Sequence, residues 1–262
     1  MKTAIIIPAR FASQRFMGKP LVQLRGASGQ SKTLIQRTWE AALLVENIAQ
    51  LIVTSDDQRI LDHAKGFGAD VMISSGQAQN GTERCAELVD QLDPDIDLII
   101  NFQGDSPLTP PDFVAEIIAA MNQGDAAMAT PVLRCDAQTL ARFREDRKAG
   151  KTGGTTAVFD KNNHALYFSK EVLPFADGGA DAPPVFHHVG LYGFRPAALK
   201  QYLNWPQGDL EKVEGLEQLR FLENGAKIRC VEVEAKDRVF WEVNNPVDVE
   251  RVELALAQMG VE

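Results

Sequence analysis

The densest concentration of potential chemistry lies between Arg10 and Pro20, where Arg10, Ser13, Arg15 and Lys19 set three cations and a hydroxyl within ten residues. Arginine offers a planar fork to phosphate oxygens and lysine a point charge, and three such groups suit a triphosphate better than a monophosphate. The competing reading is a solvated basic loop. Position argues against it, because the segment directly follows the apolar run Ala4–Ile7, where α/β folds gather ligands beyond strand ends. Pro8 and Ala9 form the exit from that strand. The segment is not a phosphate-binding loop of the GxxxxGK(S/T) type, and no GxGxxG follows a strand, so both nucleotide-binding readings built on those motifs lose support.

A second feature is Phe102-Gln103-Gly104-Asp105-Ser106-Pro107. A carboxylate at a strand end could hold Mg²⁺ against substrate phosphates, since magnesium usually takes one or two protein carboxylates plus phosphate oxygens. Gly104 would permit close backbone approach, although the same letters also spell a plain turn. A third is Asn80-Gly81-Thr82-Glu83-Arg84, where a helix start could cradle a base or phosphate through its backbone N–H groups, or simply begin a helix. His187 and His188 adjoin on a strand and face opposite ways, so they do not make a chelating pair; either could bind a sugar hydroxyl or be structural. Glu211 to Arg220 carries Glu214, Glu217, Gln218 and Arg220 over a leucine stripe, mostly a solvated face from which a few groups could reach an acceptor. No GxSxG and no cysteine beside a sequence-local base occurs, so the implied chemistry is displacement at phosphorus by positioning and charge neutralisation.

The elements that must position these residues read as α/β. Ala4–Ile7, Leu51–Val53, Val71–Ile73 and Leu98–Phe102 are apolar strands alternating with helices over 33–45, 58–66, 82–92 and 110–121, the pattern of a parallel sheet covered on both faces. The first of these helices starts near Ser31 or Lys32. The second half differs. Thr155–Asp160 and His164–Ser169 form a hairpin around Lys161-Asn162-Asn163, Asp177–Pro184 is a mobile loop, Val189–Phe194 a strand, 210–222 a helix, 226–234 a strand and 246–259 a closing helix. The fold class is therefore α/β, a mostly parallel sheet with a small mixed β lobe. The chain, 1–262, is one domain in which about 155–200 form that lobe.

Bulk properties narrow the function classes. With 27 Lys and Arg against 36 Asp and Glu the net charge is −9, a poor basis for general nucleic-acid or anionic-membrane binding. Cys85, Cys135 and Cys230 are odd in number and widely spaced, which excludes a disulfide framework or zinc ribbon and suits a reducing compartment. No apolar run approaches a membrane span, and the N-terminal apolar stretch is too short for a signal peptide. A cytoplasmic protein is the expectation.

Taken together, Pro8-Ala9-Arg10, Ser13, Arg15, Gly18-Lys19-Pro20, Asn80–Arg84, Gln103–Leu108, Ala165–Ser169, His188–Tyr192 and Leu216–Arg220 resemble the CMP-Kdo synthetases, the 3-deoxy-manno-octulosonate cytidylyltransferases, in family order over nearly the whole chain. The resemblance implies a Rossmann-like nucleotidyltransferase fold and a usually dimeric enzyme that uses Mg²⁺ and joins CMP from CTP to a 2-keto sugar acid, releasing pyrophosphate, for lipopolysaccharide or capsule supply. On this basis Arg10, Arg15 and Lys19 would neutralise the triphosphate. Pro8, Ala9, Ser13, Asn80, Gly81, Arg84 and Gln103 would surround the nucleotide. Asp105 and Asn244 would hold the metal, and Lys170, His188, Tyr192, Glu217 and Gln218 would face the acceptor. Three departures fall on the metal or acceptor side. The family's Val-Asp-Thr-Pro-Glu-Asp reads Val243-Asn244-Asn245-Pro246-Val247-Asp248, so an amide replaces a carboxylate, with Glu242 or a substrate carboxylate able to compensate. Lys170 replaces an arginine and cannot give bidentate carboxylate recognition. Lys151–Thr156 replaces an Asn-Pro-Asn stretch. The acceptor is accordingly Kdo or a close analogue; another ulosonic acid, a phosphonate, or a nucleotide-binding homologue without turnover are the alternatives.

Overall fold

The computed structural model describes all residues except Gln14, Gly153, 176–183 and 237–240. Its first half is built around β1 (Thr3–Pro8), whose residues are buried throughout. A run of isoleucines buried on both faces belongs at the centre of a parallel sheet, and β1 lies in parallel between β4 (Ile48–Ser55) and β6 (Leu98–Phe102), with β5 (Asp70–Ile73) outside β4. Between β1 and β4 stand a small hairpin, β2 (Gln23–Arg25) with β3 (Ser31–Thr33), and helix α1 (Leu34–Leu43). Ser31 and Lys32 are thus strand residues, and Thr33 is the cap that starts α1 by accepting the Gln36 N–H at 3.3 Å. Helix α2 (Gln58–Gly66) matches the sequence reading and is capped by Asp57, which accepts from the Arg59 N–H at 3.0 Å.

The expected helix over 82–92 is shorter, α3 (Gly81–Ala86), followed by a separate 3₁₀ turn at Val89–Gln91. Leu88 and Leu92 both turn into the core there, which tightens the chain into i→i+3 bonding. Helix α4 (Pro111–Asn122) then leads into β7 (Met128–Arg134) and α5 (Ala137–Lys148), two elements the sequence reading omitted.

Hairpin β8 (Thr156–Phe159) and β9 (Ala165–Ser169) is antiparallel as expected. The strand expected over 189–194 is two strands, β10 (Phe186–His188) and β11 (Leu191–Phe194), interrupted at Val189-Gly190. Both run antiparallel to β7, but on its outer side β10 pairs with β8 and β11 with β6. The break is where the strand changes outer partners, and Thr130 Oγ1 fastens it by meeting the Val189 and Leu191 carbonyls at 3.2 and 2.9 Å. Helix α6 (Pro196–Asn204), also omitted, is followed by α7 (Asp209–Glu214) and α8 (Leu219–Glu223), where one helix was expected. Gly215 ends α7 in the left-handed region at φ 62°, the usual stop for a glycine after a helix. Finally β12 (Ile228–Val233) pairs in parallel with β7, and α9 (Asp248–Met259) closes the chain against the β2–β3 side.

The whole is a mixed α/β sheet, parallel where β1 sits and antiparallel where the second half joins it. The strands of 155–200 extend that same sheet. Two apolar cores cover its faces and a third packs α9 against Leu24 and Leu34. Most of the proposed 177–184 loop lies outside the described residues. All three cysteines are free, with Cys85 and Cys230 buried. Among the described residues no helix is long and apolar enough to cross a membrane.

Candidate active site

The C-terminal ends of β1 and β6 open into a cleft of about 520 Å³. Its first wall is the basic loop after β1. Ala9 N donates to the Thr54 carbonyl at 2.8 Å, and Gly18 N returns to the Phe11 carbonyl at 2.9 Å, so the loop is pinned at both ends. Gly18 has φ +69°, and a Cβ there would stand 3.2 Å from the Phe11 ring; Arg59 covers that ring at 3.5 Å. Pro8, Ala9, Arg10, Ser13, Arg15 and Lys19 all line the cleft. The loop holds its cations at the mouth because its closure packs Phe11 inward.

Asp105 lies opposite. Its Oδ2 pairs with Lys19 Nζ at 2.6 Å, both groups half-buried. Among the described residues its Oδ1 meets only a long contact from Ser106 Oγ at 3.5 Å. Gly104 is obligatory in this turn, since a Cβ would lie 2.6 Å from the Pro8 carbonyl oxygen. A carboxylate oxygen is the donor type magnesium takes alongside phosphate oxygens, so Asp105 fits the ion. Among the described residues no group of three or more His, Cys, Asp or Glu could hold a metal ion, and phosphate oxygens would have to complete the shell.

The floor is Gly81 and Gln103. A Cβ at Gly81 would meet the Gln103 and Asn101 amides at 3.1 and 3.2 Å. The backbone N–H groups expected to be open at this helix start are engaged: Thr82 N donates to Glu217 Oε2 at 3.0 Å and Glu83 N to Asn80 Oδ1 at 2.8 Å. Asn80 therefore lines the cleft as a helix cap, and its Nδ2 donates to the Tyr202 hydroxyl at 3.1 Å. Arg84 reaches the cleft edge, but its buried guanidinium is held by Asp56 at 3.0 Å and Ser74 at 2.6 Å.

The far wall comes from the break between α7 and α8. Leu216, Glu217 and Gln218 line the cleft together with Tyr192. Glu217 accepts from Gln103 Nε2 at 3.3 Å as well as from Thr82, and burial holds its carboxyl above the ordinary range. The Tyr192 hydroxyl donates to Gln218 Oε1 at 3.3 Å, and Gln218 Nε2 is buried without a partner among the described residues.

Three expected site residues stand apart. His188 is buried behind Tyr192, between that ring and Phe168, with Nε2 3.0 Å from Thr130 Oγ1; burial pushes its pKa down to about 3. Lys170 Nζ is 3.1 Å from the position of a Gly215 Cβ, just behind the cleft lining. Asn244 accepts from Arg15 Nη2 at 3.0 Å and donates to Glu242 Oε2 at 3.3 Å. Glu242 itself lines the cleft, and burial with Asp105 nearby raises its pKa to about 7. Gly190, Gln207 and Glu211 also line it. Gln207 carries no sequence signal; Gly190 had one, a glycine inside a strand pattern.

A nucleotide-sized cleft at parallel strand ends, with cations on one wall, a carboxylate opposite and an amide floor, defines a nucleotidyltransferase. The cytidylyltransferase family model matches residues 4–228. The chain is 38% identical over 99% of both chains to a 3-deoxy-manno-octulosonate cytidylyltransferase of Maricaulis maris. It is 36% identical to an 8-amino-3,8-dideoxy-manno-octulosonate cytidylyltransferase of Shewanella baltica, over 98% of this chain and 99% of that one. Its fold is similar to the solved structure of a CMP:2-keto-3-deoxy-manno-octonic acid synthetase complexed with CTP, with TM-score 0.85 and 30% identity over 99% of this chain and all of that one. The chain belongs to the cytidylyltransferase family.

Proposed function

We propose that this cytidylyltransferase joins CMP to the anomeric hydroxyl of Kdo or a close analogue. The acceptor oxygen attacks the α-phosphorus of CTP, the bond to the bridging oxygen breaks, pyrophosphate leaves and the proton of the acceptor hydroxyl passes to solvent water. The observation that carries this reading is that Arg10, Arg15 and Lys19 line one cleft with Asp105, which Lys19 meets directly. In-line phosphoryl transfer needs positioning and charge neutralisation rather than a covalent nucleophile. Arg10 and Arg15 bind the phosphates at the mouth. Lys19 approaches them beside Asp105. Gly81 and Gln103 lie under the nucleoside, and Tyr192, Glu217 and Gln218 bound the acceptor. Mg²⁺, held by Asp105, would offset the charge that develops on the phosphate oxygens.

The same reading includes a homodimer, a cytoplasmic setting and supply of activated sugar acid for lipopolysaccharide. It also makes the 155–200 strands an acceptor and dimer lobe, with Lys170 near the acceptor carboxylate. The test is pyrophosphate release by the purified protein with Mg²⁺, CTP and either Kdo or its 8-amino analogue, with UTP as control. Release with CTP and one of these acids is expected. No release with either acid removes the acceptor assignment. Equal rates with UTP remove the base preference. Sedimentation at micromolar concentration checks the dimer, which a monomer would refute.

A further inference from the structure

Asn244 was the expected partner of Asp105 at the metal, but a guanidinium stands on its amide oxygen and would repel a cation there. Oδ1, the only atom with which it could ligate, accepts from Arg15 Nη2 at 3.0 Å, and Nδ2 donates to Glu242 Oε2 at 3.3 Å. Turning the amide over would set its NH₂ against a guanidinium and its oxygen against a carboxylate, so both neighbours fix the same orientation. The backbone is fixed too, because Asn244 N donates to Asp248 Oδ2 at 3.0 Å.

Glu242 is placed differently. Val243 N donates to the Asp105 carbonyl at 2.9 Å, which locks the two segments side by side. The Val243 side chain is fully buried in the core under α9, while Glu242 lines the same cleft as Asp105. Glu242 Oε1 lies over Gly190, where a Cβ would come within 3.2 Å of it. The break between β10 and β11 therefore leaves room for this oxygen. Charge supplies the remaining argument. Lys19 pairs with Asp105 at 2.6 Å, so those two groups alone leave no net negative charge to attract a cation. A second carboxylate supplies one, and Arg15 reaches it only through Asn244, whereas Lys19 sits directly on Asp105.

We propose that Glu242 is the second protein carboxylate of the divalent-cation site, and that Asn244 is a positioning residue that orients Glu242 and ties it to Arg15. This rests on the cytidylyltransferase reading above and assigns the cation site its protein oxygens. Two carboxylates with phosphate oxygens completing the shell is the usual magnesium arrangement. Arg15, through Asn244, would then link the phosphate-binding loop to the cation.

The test is Mn²⁺ binding, read from the free-ion EPR signal with and without CTP, on protein whose melting temperature is checked in parallel. Glu242→Gln raises the Mn²⁺ Kd on the order of 100-fold, and Asn244→Ala raises it about tenfold, the lesser loss typical of an orienting group. Glu242→Asp keeps the charge and gives an intermediate Kd, which guards against a folding defect in the amide variant. If Glu242→Gln binds Mn²⁺ as the unchanged protein does, or Asn244→Ala loses as much as Glu242→Gln, the proposal is overturned. Either result leaves CTP-dependent pyrophosphate release by the unchanged protein intact, so it is distinguishable from failure of the functional reading.

Discussion

His188 offers a sharp test of whether the second half of the sheet is assembled as described. Its ring lies between Phe168 and Tyr192 with one nitrogen on Thr130, and burial holds it neutral in the folded state down to about pH 3. In the unfolded chain the same ring titrates near 6.5. The unfolded state therefore binds the extra proton throughout this interval, and stability is lost as pH falls below 6.5. At pH 5 the folded ring is still neutral, so the loss follows from the unfolded value alone and comes to about 2 kcal/mol for this one group. His187, lowered to about 4 by burial and by Arg142 and Arg147, acts in the same direction. Glu217 and Glu242 act oppositely: their folded pKa values are raised, so they favour the folded state as pH falls from neutrality. The full profile is thus partly flattened, and a difference measurement isolates His188. His188→Gln retains a polar atom for Thr130 and cannot charge. Urea unfolding of both proteins at pH 8 and pH 5 should show the variant gaining about 2 kcal/mol relative to the original chain on going to the lower pH. A gap between the two proteins that is the same at both pH values would mean that His188 is not neutral and buried, and would refute the reasoning.

Arg220 is clamped by Glu211 at 2.7 Å and Glu83 at 2.9 Å over the Tyr202 ring; Arg220→Leu strands two largely buried carboxylates and should cost about 3–5 kcal/mol in urea unfolding, where a loss under about 1 kcal/mol would mark the clamp as superficial. Lys19→Met should lower kcat/KM for CTP by roughly 10²–10³ with little change in melting temperature, and normal kinetics would remove Lys19 from the phosphate site. Gly104→Ala sets a Cβ 2.6 Å from the Pro8 carbonyl oxygen, so β1 and β6 must part at the cleft; the expected loss is about 1–3 kcal/mol with weaker CTP binding, and an unchanged CTP Kd would show that the close approach is not needed.

The first half of the fold was legible because its strands are buried on both faces. β1 and β6 are uninterrupted apolar runs, and a run of that kind with helices on either side has one common arrangement. The second half follows weaker signals. β7 opens on Met128-Ala129-Thr130-Pro131, a stretch with no alternation and a proline inside it, which argues against a strand by local rules. Pairing with β11, β10 and β12 overrides them. α5 is strongly polar and buries only Phe143, so its apolar periodicity is faint. At the site, the basic loop, Asp105, Gly81, Gln103 and Tyr192 were legible as motifs, and the fold brings them to one cleft. The role of Arg84 was not legible, because its partners Asp56 and Ser74 lie on the neighbouring strand ends. The ligating capacity of Asn244 could not be judged either until Arg15, more than two hundred residues away in sequence, was seen on its oxygen.

Gly215 shows how a local break builds the far wall of the cleft. A single helix over 210–222 would carry Glu217 and Gln218 around its surface with their backbone groups spent on the helix. The left-handed turn at Gly215 instead lays 216–218 across the end of the sheet. Glu217 then accepts from Thr82 N at the start of α3 and from Gln103 at the end of β6, and the Glu217 carbonyl accepts from the Tyr202 hydroxyl of α6 at 3.2 Å. Both of its carboxylate oxygens are occupied, so Glu217 is a bracket that joins three elements where the far wall meets the cleft floor rather than a free base. Its raised pKa has the same origin, since burial works against the charge while the Thr82 N–H partly restores it. The consequence is a rigid wall of fixed hydrogen-bonding groups facing a loop of cations, and such preorganised polar walls hold a reacting pair in line without reorganising as charge moves.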